Sequence, residues 1–250
     1  MSDTGPGRIC PQAAKPVGPA GLWSADRTPA EDMTDRDIDA LYLSAEQRWM
    51  AGWLAGPTLE GDPLRRGDQA PDIEVLDEDG ATVSLADLWR RQPTLVLLWR
   101  HLGCGCGMAR AERLRDEYQL YLDAGLDVVI VAPGDRERVA KYKEKHQIPV
   151  AMLIDPEYSA HKAFGLGHWS VEQVLYDAPD EFCDLEEETG RRFQADRRAQ
   201  GRPLVDDPWM QSGEFVIARD GTIRVAYAYN YCEDYPDPRI FTTAGRLLAQ

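Results

Sequence analysis

No apolar stretch in this 250-residue chain is long enough to cross a bilayer. The longest uncharged apolar runs, at 95–99 and 128–132, are strand-sized, whereas a membrane helix needs about 20 residues. Basic residues are scarce. There are 28 Lys and Arg against 43 Asp and Glu, a formal net charge of −15. Such a surface repels phosphate backbones and anionic lipid, so neither nucleic acid nor a membrane is expected as a partner. The five cysteines stand at 10, 104, 106, 183 and 232. That odd number does not suit a secreted disulfide scaffold. The opening MSDTGPGRIC holds no apolar core of the kind a secretory signal carries, so a cytoplasmic location is expected. The stretch VAPGD at 131–135 has a single glycine, no phosphate cradle, and no cofactor is expected.

Hydrophobic residues make up 43% of the chain, enough for a sizeable core without covalent staples. Residues 1–30, rich in Gly and Pro without period, read as a tail. Residues 31–55 read as a helix. Thr34 is placed to cap it, Asp35 and Asp37 suit its first turn, and Ile38, Leu41, Tyr42, Ala45, Trp49 and Trp53 form one stripe. That stripe is expected to pack on the main domain. The division is therefore an N-terminal tail and helix over 1–64, then one domain over 65–250. The latter carries an acidic helical insert at about 169–211, whose helix shows little apolar face.

The main domain has a readable element order. A hairpin turns at Asp79-Gly80, and a second at Asp220-Gly221. Strands are expected at 94–99, 126–132 and 150–154, the first two around the apolar runs at 95–99 and 128–132, as in strands buried on both faces. Helices are expected at 85–89, 108–124, 135–146 and 237–249, the third capped by Asp135. This alternation is an α/β layer order. In such sheets reactive groups sit beyond the carboxyl ends of the parallel strands. Cys104 and Cys106 fall there, in RHLGCGCG at 100–107.

The reactive form of cysteine is the thiolate, and a helix N-terminus lowers a thiol pKa through its unpaired N–H groups and dipole. Arg100 and His101 are expected to add positive charge. Gly103, Gly105 and Gly107 permit close approach by a substrate. A disulfide across two residues closes a small strained ring, which is easily reduced. Two buried small hydrophobes at a tight turn, or a metal site, are the alternatives. With His101 and His168 the pair could bind zinc or copper, and two thiolates suit Cu(I) better than zinc. His146 and His161 are expected on helix surfaces. Cys10 is expected to be incidental, Cys183 to pack in the insert, and Trp89, Trp99 and Trp169 to fill core or cleft.

Several segments together resemble the AhpC/TSA (peroxiredoxin-like, redoxin) family: GDQAPD at 67–72, DG at 79–80, VSLADL at 83–88, LVLLWR at 95–100 before a cysteine, VIVAPG at 129–134, LIDP at 153–156 and FVIARDG at 215–221. The resemblance covers about residues 65–168 and 212–248. It implies a thioredoxin-like three-layer sandwich and a thiol-dependent oxidoreductase acting on a peroxide or a disulfide, with a thiol as reductant. In that fold the second hairpin strand runs parallel to the cysteine-bearing strand. Cys232, in YNYCEDY at 229–235, would then reach the same sheet edge as Cys104 and could act as a resolving thiol. The simpler account of Cys232 is a half-buried cysteine in an aromatic turn. The implied site is Cys104, Cys106, Cys232, Arg100 and His101. A Cu(I)-binding module or an inactive interaction module of the same fold is the alternative. This chain departs from the family pattern in three places. Gly107 stands where C-x-x-C has its second cysteine, His101 where Thr or Ser precedes the peroxidatic cysteine by three residues, and the stretch QSGEF at 211–215 lacks the proline usual just before the hairpin strand.

Overall fold

The structure, a computed structural model, describes residues 35–249, with side chains from residue 44 onward. Cys10 and Thr34 lie outside the described residues, as do the side chains of Ile38, Leu41 and Tyr42. One mixed seven-stranded sheet forms the centre, in the order β2-β1-β5-β4-β3-β6-β7. The strands are β1 (Glu74–Leu76), β2 (Thr82–Ser84), β3 (Thr94–Leu98), β4 (Asp127–Ala132), β5 (Ala151–Ile154), β6 (Gly213–Ile217) and β7 (Ile223–Ala228). β3, β4 and β5 are parallel. β6 is antiparallel to β3 and β7 antiparallel to β6, so β7 runs parallel to β3.

The continuous apolar run of β3 is explained by burial on both faces. Leu95 and Leu97 point to one side, into a core with Leu114, Tyr121, Val139 and Phe241. These come from α3 (Gly105–Asp123), α4 (Arg136–His146) and α8 (Pro238–Leu248). Val96 and Leu98 point to the other side, against Leu85, Trp89, Ala160 and Phe164 from α2 (Leu85–Arg91) and the segment at α5 (Ser159–Ala163). Each such fully buried side chain stabilises the fold by about 1.5–3 kcal/mol relative to exposure. Helices on both sides of one sheet complete the thioredoxin-like α/β fold.

Three expectations are corrected. The helix after the cysteines starts at Gly105, not near residue 108. Gly105 and Gly107 are poor helix formers, but Gly107 allows a close approach: a Cβ there would sit 3.1 Å from the His101 carbonyl oxygen and 3.1 Å from the Tyr142 hydroxyl. His161 is fully buried rather than on a surface, its ring edge-on to Tyr158 at 5.1 Å. The insert is not one helix. It comprises α6 (Val171–Val174), a 3-10 turn (Asp180–Asp184) and α7 (Glu187–Ala199).

The insert is also what the N-terminal helix α1 (Asp35–Ala55) packs on. Trp49 and Trp53 are buried with Leu175, Leu185, Leu204 and Trp209, and the half-buried Phe182, Cys183 and Phe193 close over them. The two tryptophans stack at 5.3 Å, and Trp53 stacks on Trp209 at 5.4 Å. Gly190 makes the crossing possible, because a Cβ on it would lie 2.9 Å from Trp53 Cδ1. Arg198 and Glu46 form an ion pair across the same contact. No described helix is long and apolar enough to cross a membrane.

Candidate active site

The carboxyl end of β3 delivers Arg100 and His101, and the chain then turns through Cys104 into α3. Cys104 is the N-cap residue of α3 and is partly exposed; Cys106, in the first turn, is buried. β7 ends at the same edge, and the loop after it brings in Cys232, also buried. The three sulfur atoms lie within 4.8 Å of one another. Cys106 Sγ donates to Cys104 Sγ at 2.8 Å. The structure therefore brings Cys232 together with Cys104 and Cys106.

The loop at 229–235 is held from both sides. Trp169 Nε1 donates to the Tyr229 carbonyl at 2.7 Å, and Gln173 Nε2 to the Asn230 carbonyl at 2.7 Å. Tyr235 donates its hydroxyl proton to the Cys106 carbonyl at 2.8 Å, tying the loop to the start of α3. Trp169 and Tyr229 pack directly on Cys106 and Cys232.

Arg100 is the fixed cation of the site. It is 4% exposed, and its guanidinium stacks over the Trp169 ring at 5.2 Å. Nε donates to the Met210 carbonyl at 2.8 Å and Nη2 to the Pro208 carbonyl. Nη1 faces Cys232 Sγ at 3.4 Å and Cys106 Sγ at 3.9 Å. Burial opposes its charge, but the surrounding cysteines keep it firmly protonated.

The thiols are split by their surroundings. Hydrogen bonds from Cys106 and then Cys232 hold the Cys104 thiol well below its usual range; burial opposes this and Arg100 reinforces it. Donating those bonds pushes Cys106 well up. Cys232 rises to about 12, chiefly through its bond to Cys104. In the geometry Cys106 donates to Cys104, while Cys232 accepts from Arg100 and donates to the Val174 carbonyl at 3.8 Å. The Cys104 side chain makes no cap hydrogen bond to the α3 backbone. Neighbouring thiols thus supply the hydrogen bonds that the sequence reading assigned to backbone N–H groups.

His101 does not add positive charge. Burial lowers it to about 4. Its Nδ1 accepts from the Gly103 N–H at 2.8 Å, so the proton sits on Nε2. Asp206, 3.3 Å from Nδ1, is committed to Arg138 and to the Leu102 N–H. His168 lies outside the thiol cluster: its Nδ1 accepts from the N–H groups of Thr58 and Leu59, and Nε2 faces Asp207 at 3.1 Å. A zinc or copper site completed by both histidines is therefore not assembled. The three sulfurs alone are a donor set for a soft ion, with the Arg100 guanidinium already among them.

The thiols open onto a cleft of about 520 Å³. Its far wall comes from the two additions, with Trp49 and Trp53 from α1 and Val174, Phe182 and Phe193 from the insert. Asp177, Asp196 and Glu233 also line it. A volume of this size suits a small organic molecule.

A family model described as the AhpC/TSA family matches residues 66–226. The chain belongs to the AhpC/TSA family. Among its relatives, peroxiredoxin Bcp of Bacillus subtilis is 28% identical over 107 residues, 43% of this chain and 66% of that protein. Peroxiredoxin Bcp of Escherichia coli is 28% identical over 117 residues, 46% of this chain and 74% of that protein. The chain thus spans about two thirds to three quarters of the length of these two relatives. Two solved structures share the fold. Peroxidoxin BcpB from Mycobacterium tuberculosis has a TM-score of 0.50 at 14% identity, covering 74% of this chain and 97% of that one. A peroxiredoxin-like protein from Aquifex aeolicus has a TM-score of 0.50 at 15% identity, covering 77% and 92%.

Within this AhpC/TSA chain, sequence reading missed a buried polar network beneath the thiols. Arg110 on α3 makes a two-pronged bond to Glu214 of β6, at 2.7 and 3.1 Å, and a third to Glu117 at 2.8 Å. Tyr121 donates to Glu117, and Tyr229 to Glu214. Glu214 stands opposite Leu97 in an otherwise apolar sheet. A charged residue at a strand position buried on both faces was the signal available in the sequence.

Proposed function

We propose that this chain is a thiol-dependent oxidoreductase in which Cys104 attacks a peroxide or a substrate disulfide. One observation carries the reading: a partly exposed cysteine at a helix start accepts a hydrogen bond from a buried thiol, has a second buried thiol within 4.8 Å, and lines a cleft. A thiolate so held reacts at neutral pH, whereas an ordinary thiol is largely protonated.

With a peroxide, the Cys104 thiolate takes the terminal oxygen and the O–O bond breaks. The alkoxide or hydroxide leaves with a proton as alcohol or water, and Cys104 becomes a sulfenic acid. Cys106 then condenses with it, forming the S–S bond and releasing water. With a disulfide, Cys104 attacks one sulfur, the other leaves as a thiol, and Cys106 resolves the mixed disulfide. Both routes end at the same oxidised pair, and an external dithiol returns it to the reduced state. Arg100 stabilises the negative charge carried among the sulfurs.

The test is peroxide consumption and small-disulfide reduction with a dithiol reductant. Wild-type turnover that is lost in Cys104→Ser supports the reading, and turnover retained in Cys104→Ser overturns it. Comparing the two substrate types decides between peroxide and disulfide.

A further inference from the structure

The site holds one thiol more than the cycle above uses. A peroxidatic and a resolving cysteine suffice for it, yet Cys232 is buried in contact with both. Resting on the thiol-oxidoreductase reading, we propose that the disulfide first formed between Cys104 and Cys106 moves onward to Cys106–Cys232, which restores a free Cys104 thiolate while the oxidation is still stored in the chain.

The step is an exchange without net redox change. The Cys232 sulfur attacks Cys106 Sγ, the Cys232–Cys106 bond forms, the Cys104–Cys106 bond breaks, and the electron pair leaves on Cys104. The proton lost from Cys232 passes to solvent. Three features of the geometry favour this direction. The first bond joins residues two apart, inside a small strained ring, and strained disulfides are the readily exchanged ones. The second bond joins α3 to the loop after β7, two elements already packed together, with no such ring. The leaving sulfur is at the N-cap of a 19-residue helix, where negative charge is stabilised, and the better-stabilised thiolate leaves faster.

Arg100 is also placed for this exchange. Its Nη1 is within hydrogen-bonding reach of Cys232 and Cys106, the two sulfurs that become bonded. A guanidinium there stabilises the thiolate that forms on Cys232 as it attacks. All three cysteines line the cleft, but Cys106 and Cys232 are buried and Cys104 is partly exposed. Cys104 is then the route out as well as in: a reductant is served when Cys104 attacks Cys106 and re-forms the outer disulfide.

The distinguishing consequence is stoichiometric. Without reductant, each chain consumes two equivalents of peroxide, one to make the stored disulfide and one to oxidise the freed Cys104 to a sulfenic acid. The experiment uses the full chain in a Cys10→Ser, Cys183→Ser background. The reduced protein receives one equivalent of hydrogen peroxide, is quenched in acid and alkylated, and its disulfides are mapped by mass spectrometry. The expected product is Cys106–Cys232 in about tenfold or greater excess over Cys104–Cys106, with Cys104 alkylated. Cys232→Ser is expected to stop at Cys104–Cys106 and at one equivalent. Wild-type chains that stop at Cys104–Cys106, or that show Cys104–Cys232, overturn the relay but leave the oxidoreductase reading standing. Chains that consume no peroxide and lose no thiol with a disulfide substrate overturn that reading itself.

Discussion

If neighbouring thiols hold Cys104 as a thiolate, removing one must raise its pKa by an amount set by hydrogen-bond energetics. Cys106→Ala deletes the donor at 2.8 Å, the largest influence on Cys104. A hydrogen bond to a charged acceptor is worth about 1.5–3 kcal/mol, and one pH unit corresponds to about 1.4 kcal/mol. Cys106→Ala should therefore raise the Cys104 titration by about 1–2 units. Cys106→Ala with Cys232→Ala should carry it close to the free-thiol value of about 8.5. Cys106→Ser keeps a donor at nearly the same place and should recover part of the shift. The assay is the pH dependence of iodoacetamide alkylation at Cys104, in the background lacking Cys10 and Cys183. A titration unmoved by Cys106→Ala would refute the reasoning, as would equal shifts for Ala and Ser, since the cause would then not be a donated hydrogen bond.

Other consequences follow from the buried polar groups and from the insert. Arg110→Met leaves Glu117 and Glu214 without their cation, so urea unfolding should show a loss of about 3–5 kcal/mol; a loss below 1 kcal/mol would contradict the pairing. His101 and His161 are held neutral by burial, at about 4 and about 3. The unfolded chain takes up protons near pH 6.5 before the folded chain does, so their contribution is full above that pH and declines as pH falls toward 4, by about 1.4 kcal/mol per unit for each histidine. Thermal melts between pH 7 and pH 4 should show a shallower acid decline for His161→Leu than for wild type, and parallel declines would count against the assignment. Gly190→Val places a side chain against Trp53 and should cost about 1–3 kcal/mol through overpacking, read as early protease cleavage between α1 and the main domain; unchanged cleavage would show that the crossing is not tight.

The sheet was legible because its signals are local. The runs 95–98 in β3, 128–132 in β4 and 152–154 in β5 are apolar, as burial on both faces requires, and Asp79-Gly80 and Asp220-Gly221 mark both hairpins. The approach of Cys232 to Cys104 was one of two readings, and it followed from the strand directions that the family resemblance implies. What escaped depends on tertiary context. The charge of His101 is decided by burial and by an N–H only two residues away, neither visible in RHLGCG. The helix start at Gly105 rests on close contacts of Gly107 with His101 and Tyr142 that override glycine's weak helix propensity. The α1 stripe and its packing on the main domain were recognised, but not the surface that receives it: Trp49 and Trp53 find Leu175, Leu204 and Trp209, more than a hundred residues away.

The identity of the attacking sulfur is the central claim, and three variants that each keep a single site thiol test it most directly. In the background lacking Cys10 and Cys183, two of Cys104, Cys106 and Cys232 are changed to Ser, and each chain meets hydrogen peroxide in the presence of a sulfenic-acid trap. The account predicts rapid peroxide consumption and a trapped adduct only where Cys104 remains. Faster reaction in the chain that keeps only Cys106 or only Cys232 would contradict it.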